Sequence, residues 1–128
     1  VAGLAFAVAT AADNANPATP IHLVLSDRKE AVSLLEHNVT LNHDLLQGPC
    51  NGKIDVTCAA LEWGDASEQL ADVVLGADLL YDASEETYRR LVQTIDGSFQ
   101  STSAEGRLVL AVRWRKPQEE RVFFEMMK

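Results

Sequence analysis

Apolar residues in this chain fall into short runs that keep two different rhythms, and the rhythm assigns the elements. Val1 to Ala12 is uncharged and rich in Ala, with small or apolar residues on every side, which predicts a helix packed inside other structure. Asp13-Asn14-Ala15-Asn16-Pro17 is turn chemistry, and Pro20 closes the loop. Ile21-His22-Leu23-Val24-Leu25 reads as a strand. The helix after it reaches about Leu41, with Val32, Leu35 and Val39 at spacings of three and four. Beyond the loop Gln47-Gly48-Pro49-Cys50-Asn51-Gly52, the run Ile54-Asp55-Val56-Thr57-Cys58 alternates as a strand does. Asp72-Val73-Val74-Leu75-Gly76 is a third strand, short and apolar enough for burial on both faces. Ser84 to about Ile95 is a helix entered through Asp82 or Ser84 as cap, with Glu85 and Glu86 at its positive end. Gly106-Arg107-Leu108-Val109-Leu110-Ala111-Val112 is the fourth strand, and Pro117 opens a last helix with Glu119 and Glu120 in its first turn.

Helices and strands thus alternate along the whole chain. Short apolar strands separated by helices imply βαβ units and a mostly parallel sheet covered on both faces, an α/β fold. In such a sheet ligands bind at the carboxyl ends of the strands, so chemistry is sought in the residues just after each one. An apolar segment at residue 1 also leads us to expect a chain that begins in the middle of a fold.

Composition narrows the partners. The 128 residues are 47% hydrophobic and 6% aromatic, which suits a folded domain and excludes a disordered tail, a collagen repeat or a coiled coil. Nineteen acids against eleven Lys and Arg give a formal net charge of −8. A protein this acidic gains little by displacing counterions from a nucleic acid or by docking on an anionic membrane, so neither partner is expected. Cys50 and Cys58 are too few for a disulfide scaffold, and a reducing, cytoplasmic setting is the simpler expectation, with the nucleus as the other such compartment. The apolar run at the start lacks an initiating Met and a basic lead, and ~12 residues fall short of the about 20 needed to span a bilayer.

Four strand ends carry candidate chemistry. Asp27 follows the first strand, where an acid can accept hydrogen bonds from both hydroxyls of a ribose; Asp27 with Glu30 also resembles a helix-capping pair. Ala60-Leu61-Glu62-Trp63-Gly64-Asp65 follows the second. Trp63 offers a flat face for a purine and Asp65 an acceptor for an exocyclic amine, although a lone Trp more often plugs a sheet edge. After the third come Asp78 and Tyr81, three residues apart and able to face one pocket if the loop turns; the same stretch reads as a plain connector capped by Asp82. Arg113-Trp114-Arg115-Lys116 follows the fourth, lining a substrate channel or forming a solvated edge. No phosphate-binding glycine loop, zinc-protease helix, calcium loop or serine-nucleophile elbow occurs, and His22, His37 and His43 lack metal-ligand spacing. Asn38-Val39-Thr40 is a glycosylation triplet in letters, on a predicted helix.

Taken together these ends resemble a known family. Leu25-Ser26-Asp27, Leu34-Leu35-Glu36-His37-Asn38-Val39 with Asn42, Leu61-Glu62-Trp63-Gly64-Asp65 and Asp72-Val73-Val74-Leu75-Gly76-Ala77-Asp78-Leu79-Leu80-Tyr81 resemble the seven-stranded, class I S-adenosylmethionine-dependent methyltransferases. The narrower likeness is to the methyltransferase-like protein-lysine methyltransferases, marked by Asp-x-x-Tyr after the fourth strand and matched by Asp78-Leu79-Leu80-Tyr81. Arg107 through Phe123-Phe124-Glu125 is similar to the fifth strand and the next helix of that group. The resemblance implies a Rossmann-like three-layer sandwich, of which this chain would hold strands two to five. It would then be a single, incomplete methyltransferase domain over residues 1–128, without the first strand, the glycine-rich cofactor loop and the last two strands.

The resemblance also implies roles. Asp27 would hold the ribose of S-adenosylmethionine, Trp63 would lie by the adenine, and Asp65 and Ala77 would join them at the cofactor. Asp78 would sit near the methionine end and the substrate amine, and Tyr81 would shape the lysine channel. A methyltransferase for histidine or a small molecule, a nicotinamide-dependent oxidoreductase and a non-catalytic Rossmann-like binding module remain alternatives at this level.

Overall fold

A computed structural model of the chain describes residues 21–47, 54–65, 70–81, 84–99 and 106–128. The helix expected over Val1 to Ala12, the turn at residues 13–17, Cys50 and the alternative cap Asp82 lie outside these residues. The chain divides into two compact units, Val1–Glu62 and Trp63–Lys128.

In the first unit, β1 (Ile21–Asp27) pairs in parallel with β2 (Ile54–Ala60), in a register running from Ile21 opposite Ile54 to Asp27 opposite Ala60. Alternation places Ile54, Val56 and Cys58 inward and Asp55 and Thr57 outward, as the period-two pattern requires. Ile54 is buried against Ile21, Leu23 and Val56. Both strands run two residues past their expected ends. The pairing continues further still through Leu61, whose N–H donates to the Asp27 carbonyl at 2.8 Å. The connecting segment is a short 3-10 turn, Lys29–Ala31, then α1 (Val32–Leu41), which turns Val32, Leu35 and Val39 toward cover and leaves Leu34 and Leu41 exposed. A further short helix, α2 (His43–Gln47), was not legible from periodicity, since one turn is too short to show a period.

In the second unit, β3 (Val73–Ala77) pairs in parallel with β4 (Arg107–Ala111), Val73 opposite Arg107 and Ala77 opposite Ala111. Helix α3 (Glu85–Gly97) starts at Ser84, whose hydroxyl accepts from the Thr87 N–H at 3.1 Å, and α4 (Pro117–Met126) begins on Pro117 as expected. Tyr88, Leu91 and Ile95, spaced by three and four along α3, meet Phe123 of α4 and Leu80 in one buried cluster. The Tyr88 and Phe123 rings meet edge-on with centroids 5.9 Å apart.

The expectation that the third strand is buried on both faces does not hold. Leu108 and Leu110 pack on the helical core, but Val109 on the opposite face of the pair is 55% exposed and Val73 is 39% exposed. Alternation along β4 sends one side chain in two away from the helices.

Candidate active site

The geometry is built by the turn that follows β3. In Asp78-Leu79-Leu80-Tyr81 the two leucines face inward: Leu80 is buried in the core and Leu79 packs against it. Leu79 can lie flat on the strand because Gly76 has no side chain. A Cβ there would stand 2.5 Å from Leu79 Cδ1 and 2.7 Å from Leu110 Cδ2. With the middle of the motif anchored, its two polar ends are left outside, and both Asp78 and Tyr81 are exposed.

Asp78 adopts a left-handed backbone (φ 57°), the single described non-glycine residue to do so. Asp tolerates that region better than most side chains. Its N–H donates to the Ala111 carbonyl at 2.9 Å, which ties the turn to the end of β4. Its Oδ2 accepts from Arg115 Nη2 at 2.6 Å. An open cleft of about 380 Å³ lies beside this pair, lined by Ala77, Asp78, Ala111, Val112, Arg113 and Arg115. Arg113 and Arg115 therefore stand at the carboxyl ends of the paired strands rather than on a remote solvated edge.

Tyr81 does not line that cleft. Its ring faces Trp63 instead, with centroids 6.0 Å apart and a 45° tilt, so the two polar ends of the motif serve different surroundings. Trp63 also packs on the helical core. The turn that carries it is held by Gly64 (φ 98°), whose N–H donates to Thr94 Oγ1 of α3 at 2.8 Å. Trp63, Gly64 and Asp65 line a second depression of about 390 Å³ together with Glu86, Arg90 and Gln93. There the Arg90 guanidinium hydrogen-bonds Glu86 and holds that carboxyl below the usual carboxylate range, with Arg89 adding to the effect.

Asp27 ends β1 in the first unit. It does not cap a helix with Glu30: no side chain caps the 3-10 turn or α1, and Asp27 Oδ1 accepts from the Arg28 N–H at 2.7 Å. Its carboxylate is exposed and its second oxygen is left for other partners. Among the described residues no group of three or more His, Cys, Asp or Glu converges as a metal site would, and no helix is long and apolar enough to cross a membrane.

A model of the family described as lysine methyltransferase matches residues 1–128. The chain belongs to the lysine methyltransferase family. It is accordingly a methyltransferase, and its two parallel strand pairs with their helices are part of a Rossmann-like α/β methyltransferase fold. No curated protein matches the chain.

One pairing and one residue of this lysine methyltransferase escaped sequence reasoning. Arg115 is the partner of Asp78 across 37 positions, and nothing local signals a pair so far apart. Glu120 was read as a first-turn acid; its Oε1 in fact accepts from the N–H groups of both Arg115 and Lys116 at 2.9 Å, and the residue is 1% exposed. The signal that could have found it is its position, one turn into a helix whose entry residues carry unpaired N–H groups.

Proposed function

We propose that this chain transfers a methyl group from S-adenosylmethionine to the side-chain amine of a lysine in a protein. The observation that carries this reading is the family match, set beside Asp78 at the mouth of the open cleft after β3. The residues present suit the cofactor. In the first unit Asp27 keeps a carboxylate oxygen that suits a ribose hydroxyl, and in the second unit, taken by itself, Trp63 and Asp65 line a polar depression held by the Gly64 turn. Ala77, at the last position of β3, gives a smooth wall next to Asp78.

When bound, S-adenosylmethionine supplies a methyl carbon already activated by its sulfonium. The protein then has to align a neutral amine and exclude water. A lysine amine with a pKa near ~10.4 sheds its proton to water before it attacks. Asp78 would accept a hydrogen bond from an amine N–H through Oδ1, because Arg115 occupies Oδ2 and keeps the carboxylate oriented. Tyr81, braced on Trp63, stands outside the cleft that Asp78 lines and has no part in an approach through it. The same reading proposes a reducing compartment, the cytoplasm or the nucleus, and assigns residues 1–128 to a methyltransferase domain.

Titration of the full-length protein with S-adenosylmethionine and with nicotinamide dinucleotides, followed by labelled-methyl transfer and residue analysis of the product, tests the proposal. Binding of S-adenosylmethionine alone and label on lysine are expected. Label on histidine or on a small metabolite would overturn the acceptor. Asp78→Ala is expected to abolish transfer, and unchanged turnover would remove Asp78 from the reaction.

A further inference from the structure

We propose that Arg113 and Arg115 form a subsite for an acidic residue flanking the target lysine, so that this methyltransferase prefers lysines in acidic segments. The inference rests on the proposed transfer to a protein lysine and names the feature of the substrate that would be read.

The segment after β4 presents its arginines by construction. It leads from the end of β4 to the start of α4 through Val112, Arg113, Trp114, Arg115 and Lys116. Trp114 packs on Phe124 of α4, ring centroids 5.5 Å apart, and Arg113 and Arg115 both line the cleft that holds Asp78. The backbone is then clamped. The buried Glu120 carboxylate takes the N–H groups of Arg115 and Lys116 on one oxygen, which sets the path of the segment without touching either guanidinium. Cations held this way bind with less ordering cost than cations on a free loop.

The charges of the two arginines are unequally matched. Arg115 is paired with Asp78, Lys116 with Glu119 at 3.4 Å, and Arg113 has no acidic partner among the described residues. One guanidinium is thus uncompensated on the wall of the cleft, in a protein whose net charge is −8. Its planar fork fits a carboxylate, and Arg115 retains donors beyond the one given to Asp78. Because the cleft is also lined by the acid proposed to receive the lysine amine, a carboxylate bound at Arg113 would belong to a residue close to that lysine. A nucleic-acid phosphate is disfavoured by the overall acidity.

The test uses the full-length protein and three peptides, each with a single lysine flanked by Glu, by Ala or by Arg. Initial rates are measured with labelled S-adenosylmethionine at low and at physiological salt. The Glu-flanked peptide is expected to have about tenfold higher kcat/KM than the Ala-flanked one, the scale of one charge-assisted hydrogen bond, and the gap is expected to narrow with salt. Arg113→Ala should erase the preference. Arg113→Glu should invert it toward the Arg-flanked peptide, with the KM for S-adenosylmethionine unchanged and the melting temperature retained. Equal rates on all three peptides would overturn the subsite while leaving lysine methylation standing. A rise in cofactor KM with an unaltered peptide preference would also overturn it, assigning Arg113 to the cofactor. Cofactor binding without methylation of any peptide, together with label on a small acceptor, would overturn the proposed function itself and the subsite with it.

Discussion

At Asp78, conformation and chemistry pull in different directions. A non-glycine residue at φ 57° costs on the order of 1 kcal/mol, and its exposed pair with Arg115 returns no more than about that. Asp78→Gly should therefore melt within about 1 kcal/mol of the parent in a thermal scan while losing methyl transfer, which separates function from folding more cleanly than Asp78→Ala, where the left-handed strain remains. Thr94 is the opposite case, a buried side chain whose role is to hold another residue. Its hydroxyl accepts from the Gly64 N–H, and Thr94→Val should cost about 1 kcal/mol by denaturant titration and quench or shift Trp63 fluorescence as the turn loosens. Asp27, Trp63, Asp65, Asp78 and Tyr81 could be picked out as candidates because each stands at or shortly after a strand end, and Ala77 only through the family resemblance. Their partners could not. The Arg115 contact and the Trp63–Tyr81 contact join residues 37 and 18 positions apart in the numbering, and only folding brings them within reach.

Helix ends are where local sequence is most informative, and α3 and α4 show two ways of satisfying them. Ser84 caps α3 with its own hydroxyl, so Ser84→Ala should lower stability by about 1 kcal/mol, read as a fall in melting temperature with turnover retained. Lys116 offers no such group at the entry of α4, and Glu120 reaches back from inside the helix. Glu120→Ala would strand two N–H groups and is expected to cost about 2–3 kcal/mol, whereas Glu120→Gln keeps a carbonyl acceptor and should cost less. If the two substitutions melt alike, the clamp contributes little. The strands show the limit of local reading. β1 and β2 ran two residues beyond their apolar cores because Ser26-Asp27 and Ala59-Ala60 continue the ladder through backbone bonds that any residue can make.

Across the whole molecule the acidic balance decides encounters. With a net charge of −8, no retarded band is expected with duplex DNA or RNA at about 0.15 M salt. A shift whose affinity falls steeply with salt would contradict the exclusion of nucleic-acid partners. The sequence by itself determined the order of the four strands and of helices α1, α3 and α4, the parallel α/β architecture and the strand ends at which chemistry would sit, because period, turn residues and caps are properties of neighbouring positions. It also carried the family likeness that the match over residues 1–128 bears out. Only the tertiary structure decided that Asp78 is engaged by Arg115, that Tyr81 turns to Trp63 instead of sharing the cleft, and that Glu120 is buried to clamp the arginine segment. Those outcomes depend on which distant side chains are brought together when Leu79 and Leu80 are buried and α4 packs on α3, and no local rhythm encodes that choice.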